Sequence, residues 1–160
     1  MSDEIRVRVA DWAVARGEGV VSTLGLGSCV AIILHSRDAK VGGLAHVLLP
    51  DETFSRERVN PAKFATTAVP MLVSEMMARG ARGPLVAKIV GGASMFGALL
   101  PAGGVNMGER NAEAARRALA AAGIPLVADD TGGDFGRSVY LDVASGRVRV
   151  RALRRGEYDL

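Results

Sequence analysis

The residues best suited to covalent chemistry in this 160-residue chain are its single cysteine, Cys29, and one of its two histidines, His46. Both lie in one stretch, TLGLGSCVAIILHSRDAKVGGLAHVLLP, from Thr23 to Pro50. A thiolate is a strong nucleophile, and an adjacent imidazole is the usual base that generates one. Such a pair attacks the carbonyl carbon of an amide or ester, forms a thioester and releases it to water. The chemistry also needs room for the substrate and backbone N–H groups aimed at the developing oxyanion. The approach Gly25-Leu26-Gly27-Ser28 offers both, with Gly27 and Ser28 as candidate oxyanion and substrate contacts. An imidazolium beside the thiol favours the thiolate, so an acidic cysteine is expected.

Each residue also has a plainer reading. A lone cysteine is often a small buried hydrophobe. His46 lies in the apolar run VGGLAHVLLP, where a core histidine with a backbone partner is equally natural. His35, beside a polar turn, reads as solvent-exposed. A catalytic imidazole needs an orienting group, and Thr23, Ser22 and Asn106 all remain open for that role.

Val20–Leu24 reads as a short strand interrupted by Gly25 and Gly27, which suggests a bulge or a close backbone approach. Val30–His35 and Val41–Leu49 are apolar strands separated by the polar turn Ser36–Lys40, a hairpin pattern. A turn centred near Asp38 brings Cys29 and His46 opposite each other to within one or two positions. Opposed strand residues have Cβ atoms about 4.5–5.5 Å apart, within reach of a thiol and an imidazole. A one-residue slip would put the two on opposite faces.

Elsewhere, Ile5–Val9 alternates as a half-buried strand does, and Asp11–Arg16 is ambiguous. A polar loop, Asp51–Val59, precedes a helix with Asn60 as N-cap, Pro61 in the first turn and Gly80 at its end. Phe64, Ala68, Leu72 and Met76 form its apolar stripe, and Pro70 should kink or break it. Leu85–Val90 is a strand running into Gly91–Phe96, and Pro101–Gly104 is a loop. A second helix spans roughly Arg110–Ala122, with Ala115, Leu119 and Ala122 on its buried side. Leu126–Ala128 is a strand, and Asp129-Asp130 falls in an exposed glycine-rich turn. Ser138–Val143 and Arg147–Leu153 form a hairpin around Ala144-Ser145-Gly146, and only a short tail follows Leu153. Many strands with two main helices indicate an α/β or α+β layered fold, with mixed, largely antiparallel sheets and the helices packed outside. The length suits one domain over residues 1–160.

Composition narrows the function classes. The net charge of +3 is mild, and aromatics make up 4%. Nucleic-acid binders carry denser basic patches with stacking rings, so the alternating C-terminal arginines read as a solvated strand face. One cysteine excludes an internal disulfide and a cysteine-rich zinc site, and two histidines without matching carboxylate spacing give no metal site. Gly25–Val30 lacks the last glycine of a dinucleotide-binding loop, and no cofactor is expected. The N-terminus has no apolar signal segment, and no run reaches the ~20 apolar residues a membrane helix needs. A cytoplasmic protein without membrane insertion is expected.

The stretch Thr23–Pro50, followed in order by GGASMF (Gly91–Phe96), MGERN (Met107–Asn111) and DTGGDFGRSV (Asp130–Val139), resembles the CheD family of chemoreceptor glutamine deamidases. The resemblance covers almost the whole chain. It implies a layered α/β fold related to the cysteine deamidases of bacterial toxins. It implies hydrolysis of particular glutamine side chains on methyl-accepting chemotaxis receptors to glutamate and ammonia. It implies a catalytic set of Cys29, His46 and Thr23, and in many members a CheC-type phosphatase partner. The rival functions are a non-catalytic module binding receptor or phosphatase, and a thiol hydrolase of another amide or ester.

Overall fold

A computed structural model describes residues 3–94 and 106–160. The loop expected over Pro101–Gly104, and the end of the Gly91–Phe96 run, lie outside the described residues. Among the described residues, ten strands form two five-stranded sheets. The first contains β1 (Glu4–Val7), β3 (Val20–Leu26), β8 (Arg137–Asp142), β9 (Val148–Ala152) and β10 (Gly156–Asp159), in that order. The second has the order β2 (Trp12–Arg16), β5 (Val41–Val47), β4 (Val30–Ser36), β6 (Leu85–Gly91), β7 (Leu126–Thr131). Among the described strands, only β1–β3 and β6–β7 pair in parallel. Two helices, α1 (Ala65–Ala78) and α2 (Met107–Ala121), contact each other and the second sheet. The mixed, largely antiparallel layered class expected from the sequence is the class observed.

Alternation along β4 explains the layering. Val30, Ile32 and Leu34 face the helix-side core with Leu72, Met76 and Leu119. Ala31 and Ile33 face the inter-sheet core with Val21, Leu26, Val139 and Leu141. β4 is therefore buried on both faces and reads as a continuous apolar run. β5 is equally buried, and its paired glycines let both layers close. A Cβ on Gly42 would come 2.9 Å from Leu141 Cδ2, and one on Gly43 3.2 Å from Met76 Sδ.

Several elements depart from expectation. Asn60 caps a 3-10 turn, Pro61–Lys63, and α1 begins only at Ala65. Asn60 Oδ1 accepts from Ala62 N at 3.0 Å, while its Nδ2 donates to Ala10 O at 2.7 Å, anchoring the β1–β2 connection. Pro70 lies inside an unbroken α1, on its exposed side, where the helix loses one hydrogen bond without losing core packing. α2 starts at Met107 under an Asn106 cap, and Ala122 is exposed rather than buried. Asp129 and Asp130 belong to β7, not a turn: Arg116 pairs with the first at 2.7 Å and buried Arg137 reaches the second at 3.4 Å. The tail beyond Leu153 returns as β10, pairing Glu157 with Arg151 and Tyr158 with Val150.

Leu72 is fully buried between α1 and the second sheet. Leu72→Ala should cost about 2–5 kcal/mol and lower the Tm by roughly 5–15 °C. Thermal melts followed by circular dichroism measure this, and activity per folded molecule should persist.

Candidate active site

Three strand ends and one crossover build the site. β3 of the first sheet carries Thr23 and then bulges between Thr23 and Leu26. Gly25 takes φ +68 there, a left-handed conformation that favours glycine. The chain leaves β3 at Leu26, crosses through Gly27-Ser28-Cys29 and enters the second sheet as β4. Cys29 thus stands where the chain changes sheets. β5 returns antiparallel to β4, with Ala31 opposite His46 and Val30 opposite Val47. One further step places Cys29 across from Leu48, an even offset of two from His46. That offset keeps both side chains on one face. The face is the inter-sheet one, since Cys29 packs against the core formed by Ala31 and Ile33.

His46 meets Thr23 there. Thr23 Oγ1 lies 2.6 Å from His46 Nδ1 and donates to Val7 O at 2.7 Å, and both residues are buried. A hydroxyl has one proton, and a carbonyl can only accept. The Thr23 proton therefore goes to Val7, and His46 must donate Nδ1–H to Thr23. This leaves Nε2 with its lone pair, buried and without a hydrogen-bond partner among the described residues. The His46 backbone is fixed as well, its carbonyl accepting from Ala10 N at 2.8 Å and its N–H donating to Asp11 O at 3.0 Å.

Electrostatics define the resting state. Burial lowers the His46 pKa to about 4, so the imidazole is neutral near pH 7. Burial raises the Cys29 pKa, partly offset by a hydrogen bond from its own amide. The acidic thiol expected from an imidazolium neighbour is therefore absent. The two groups rest as thiol and neutral imidazole, because desolvation penalises both charged forms.

The other sequence candidates resolve differently. Asn106 caps α2, and its Oδ1 accepts from Glu109 N. Ser22 Oγ accepts from Arg6 Nε at 3.0 Å and donates to Glu4 Oε2 at 3.1 Å, on the outer side of β3. His35 is buried, not exposed, with Nε2 2.8 Å from Val143 O and the turn at Gly146 covering its ring. Gly27 and Ser28 directly precede Cys29 in the crossover, and the amides of Ser28 and Cys29 make no backbone hydrogen bond among the described residues. Among the described residues no cluster of histidine, cysteine and carboxylate groups could hold a metal. A groove of about 570 Å3 lies between α1 and α2 and is not lined by Thr23, Cys29 or His46.

The remaining sequence motifs converge on the cysteine loop. Gly92 N donates to Cys29 O and Ala93 N to Gly27 O, each at 2.8 Å. Gly91 has φ +116, and a Cβ there would overlap Cys29 O. A Cβ on Gly108 would overlap Ala93 O, so this glycine lets α2 approach. Arg137 Nη1 donates to Gly132 O at 2.8 Å and Gly91 O at 3.3 Å, closing the shell. Asn111, which no spacing rule singled out, donates to Ser28 O.

The His46 shift has a measurable consequence. Its folded pKa of about 4 lies below the ordinary value of about 6.5, so the unfolded chain binds the extra proton first. This contribution to stability is complete above about pH 6.5 and is lost as pH falls toward 4, amounting to about 3 kcal/mol. His46→Gln should flatten the decline in Tm between pH 6.5 and 4.5 seen in thermal melts of the wild type.

Sequence relatives bear on this geometry. A family model described as CheD chemotactic sensory transduction matches residues 48–152. That span takes in the glycine, Asn111 and Arg137 shell but begins after Thr23, Cys29 and His46. Full-length relatives span the rest. A protein of Pyrococcus abyssi named probable chemoreceptor glutamine deamidase CheD is 47% identical, over 98% of this chain and 96% of its own length. Proteins of the same name from Moorella thermoacetica and Clostridium novyi are 47% and 42% identical, over 95% and 96% of this chain and 92% and 96% of their own lengths. With a family model matched over most of its length and full-length relatives at this identity, the chain belongs to the CheD family.

Proposed function

We propose that this protein is an enzyme of chemotactic signalling that deamidates glutamine side chains of chemoreceptors, using Cys29 as nucleophile, His46 as base and Thr23 as the group that orients it. One observation carries the mechanism: Thr23 fixes His46 through Nδ1, leaving a buried, unpartnered Nε2 on the face shared with Cys29. The target is taken from the relatives, whose names specify chemoreceptor glutamines.

Substrate arrival draws the Cys29 proton to His46 Nε2 as sulfur bonds to the side-chain carbonyl carbon of glutamine. Proton transfer accompanies attack because neither the thiolate nor the imidazolium is favoured alone. The oxyanion is met by backbone N–H groups of the Gly27–Cys29 loop. His46 then returns the proton from Nε2 to the departing nitrogen, the C–N bond breaks, and ammonia leaves a thioester. Water attacks that thioester with His46 as base, and the C–S bond breaks to give glutamate and the thiol. Thr23 accepts Nδ1–H throughout, and its attachment to Val7 O keeps the imidazole ring in register.

The 160 residues act as one deamidase domain. Methyl-accepting chemoreceptors are the substrate partners. A CheC-type phosphatase as a second partner rests on the family resemblance. No described helix is long and apolar enough to cross a membrane, which suits action on cytoplasmic receptor segments.

Ammonia release from a purified receptor fragment, with mass spectrometry of the modified glutamines, tests this reading. Cys29→Ala should reduce turnover to background. Thr23→Val should leave Nδ1–H unpaired, a loss of about 1–3 kcal/mol, and so slow turnover about 10- to 100-fold. Full activity in Cys29→Ala would refute the mechanism.

A further inference from the structure

Asn111 touches the site from a distant part of the chain. It lies in the first turns of α2, is fully buried, and its Nδ2 donates to Ser28 O at 2.9 Å and to Leu48 O at 3.0 Å. These carbonyls belong to the two arms of the catalytic hairpin, just past its last ladder pair, Val30 with Val47. Beyond that pair the arms separate, one toward the first sheet and the other toward α1. The two hydrogens of one amide group bridge the opening between them.

We infer that Asn111 is a positioning residue for the deamidation step, holding the Cys29 amide toward the oxyanion. The inference rests on the Cys29–His46 reading above. In a planar trans peptide the C=O and the following N–H point in opposite directions. Asn111 draws the Ser28 carbonyl toward α2, so the Cys29 N–H of the same plane is aimed away from α2. That N–H belongs to the same residue as the thiol, and it acts to lower the thiol pKa that burial raises. An oxyanion formed by sulfur attack develops beside this N–H. The neighbouring planes are held by backbone donors, Ala93 N on Gly27 O and Gly92 N on Cys29 O. The Ser28–Cys29 plane is held by a side chain, and substitution can release it.

Asn111→Asp keeps the shape and removes both donors, and Asn111→Ala removes them without adding charge. Ala115→Gly, a buried site on the same helix, supplies a control for loss of stability alone. Ammonia release gives kcat and KM on a receptor fragment, and iodoacetamide alkylation gives thiol reactivity, which involves no oxyanion. Both Asn111 variants should lose about 10- to 100-fold in kcat with little change in KM, because the affected interaction forms only in the transition state. Their alkylation rates should stay within about threefold of the wild type, and Ala115→Gly should keep its kcat. A kcat for either Asn111 variant equal to that of Ala115→Gly overturns the inference, as does an alkylation rate that falls in parallel with kcat. If Asn111→Asp does not fold, Asn111→Ala carries the same comparison. A wild type that releases no ammonia overturns the deamidase reading and this inference together, whereas an active wild type with fully active Asn111 variants overturns the inference alone.

Discussion

The hydrogen bond between Thr23 and His46 crosses from one sheet to the other. Its 2.6 Å length is possible only while the two sheets lie face to face, and that depends on the core shared by Val21, Leu26, Ala31, Ile33, Val139 and Leu141. Orientation of the His46 imidazole and closure of the sandwich are therefore one event. A chain with a loosened inter-sheet core would keep the Cys29–His46 hairpin, which lies within one sheet and its entering loop, and lose the tautomer that frees Nε2. This explains why Thr23 also binds Val7 O: β1, β3 and β5 are joined through one hydroxyl and one imidazole.

The same enclosure sets the chemistry. Removing water from His46 and Cys29 suppresses both charged forms, so the resting pair is neutral. A preformed thiolate would react with any electrophile that reached it. In the proposed mechanism a neutral pair becomes reactive when a carbonyl carbon and oxyanion donors are in place, which ties activation to a correctly seated amide. Selectivity then depends on the rigidity of the cysteine loop. Its three successive carbonyls are each held, by Ala93 N, Asn111 Nδ2 and Gly92 N.

What the sequence revealed follows from which forces act locally. β4 and β5 were legible because they are continuous apolar runs around a four-residue polar turn, and the Cys29–His46 offset follows from counting through that turn. The bulge near Gly25 was legible because glycine marks it. The Thr23–His46 contact was not, since residue spacing says nothing about register between sheets, and only the family resemblance singled out Thr23 from Ser22 and Asn106. β10 escaped notice because its four residues are exposed and lack apolar alternation. His35 reads as exposed from its polar turn, yet it lies under the β8–β9 connection, a contact between distant parts of the chain.

Asn111 and the glycine pairs show the sharpest form of that limit. Their partners are backbone atoms, which carry no sequence signature. Gly91, Gly92 and Gly108 look like flexible loop residues, yet two of them adopt left-handed φ values and all three stand where a Cβ would crowd or overlap backbone of the cysteine loop, α2 or the segment after β6. Glycine here permits contact more than motion. Arg137 completes the arrangement from the first sheet by gripping the carbonyls of Gly91 and Gly132. Four sequence motifs spread over more than a hundred residues thus meet in one physical task, holding three consecutive peptide planes still beside a thiol. A thiol on a crossover between sheets needs such support to stay in place, because the ladder hydrogen bonds that fix a strand end at Val30.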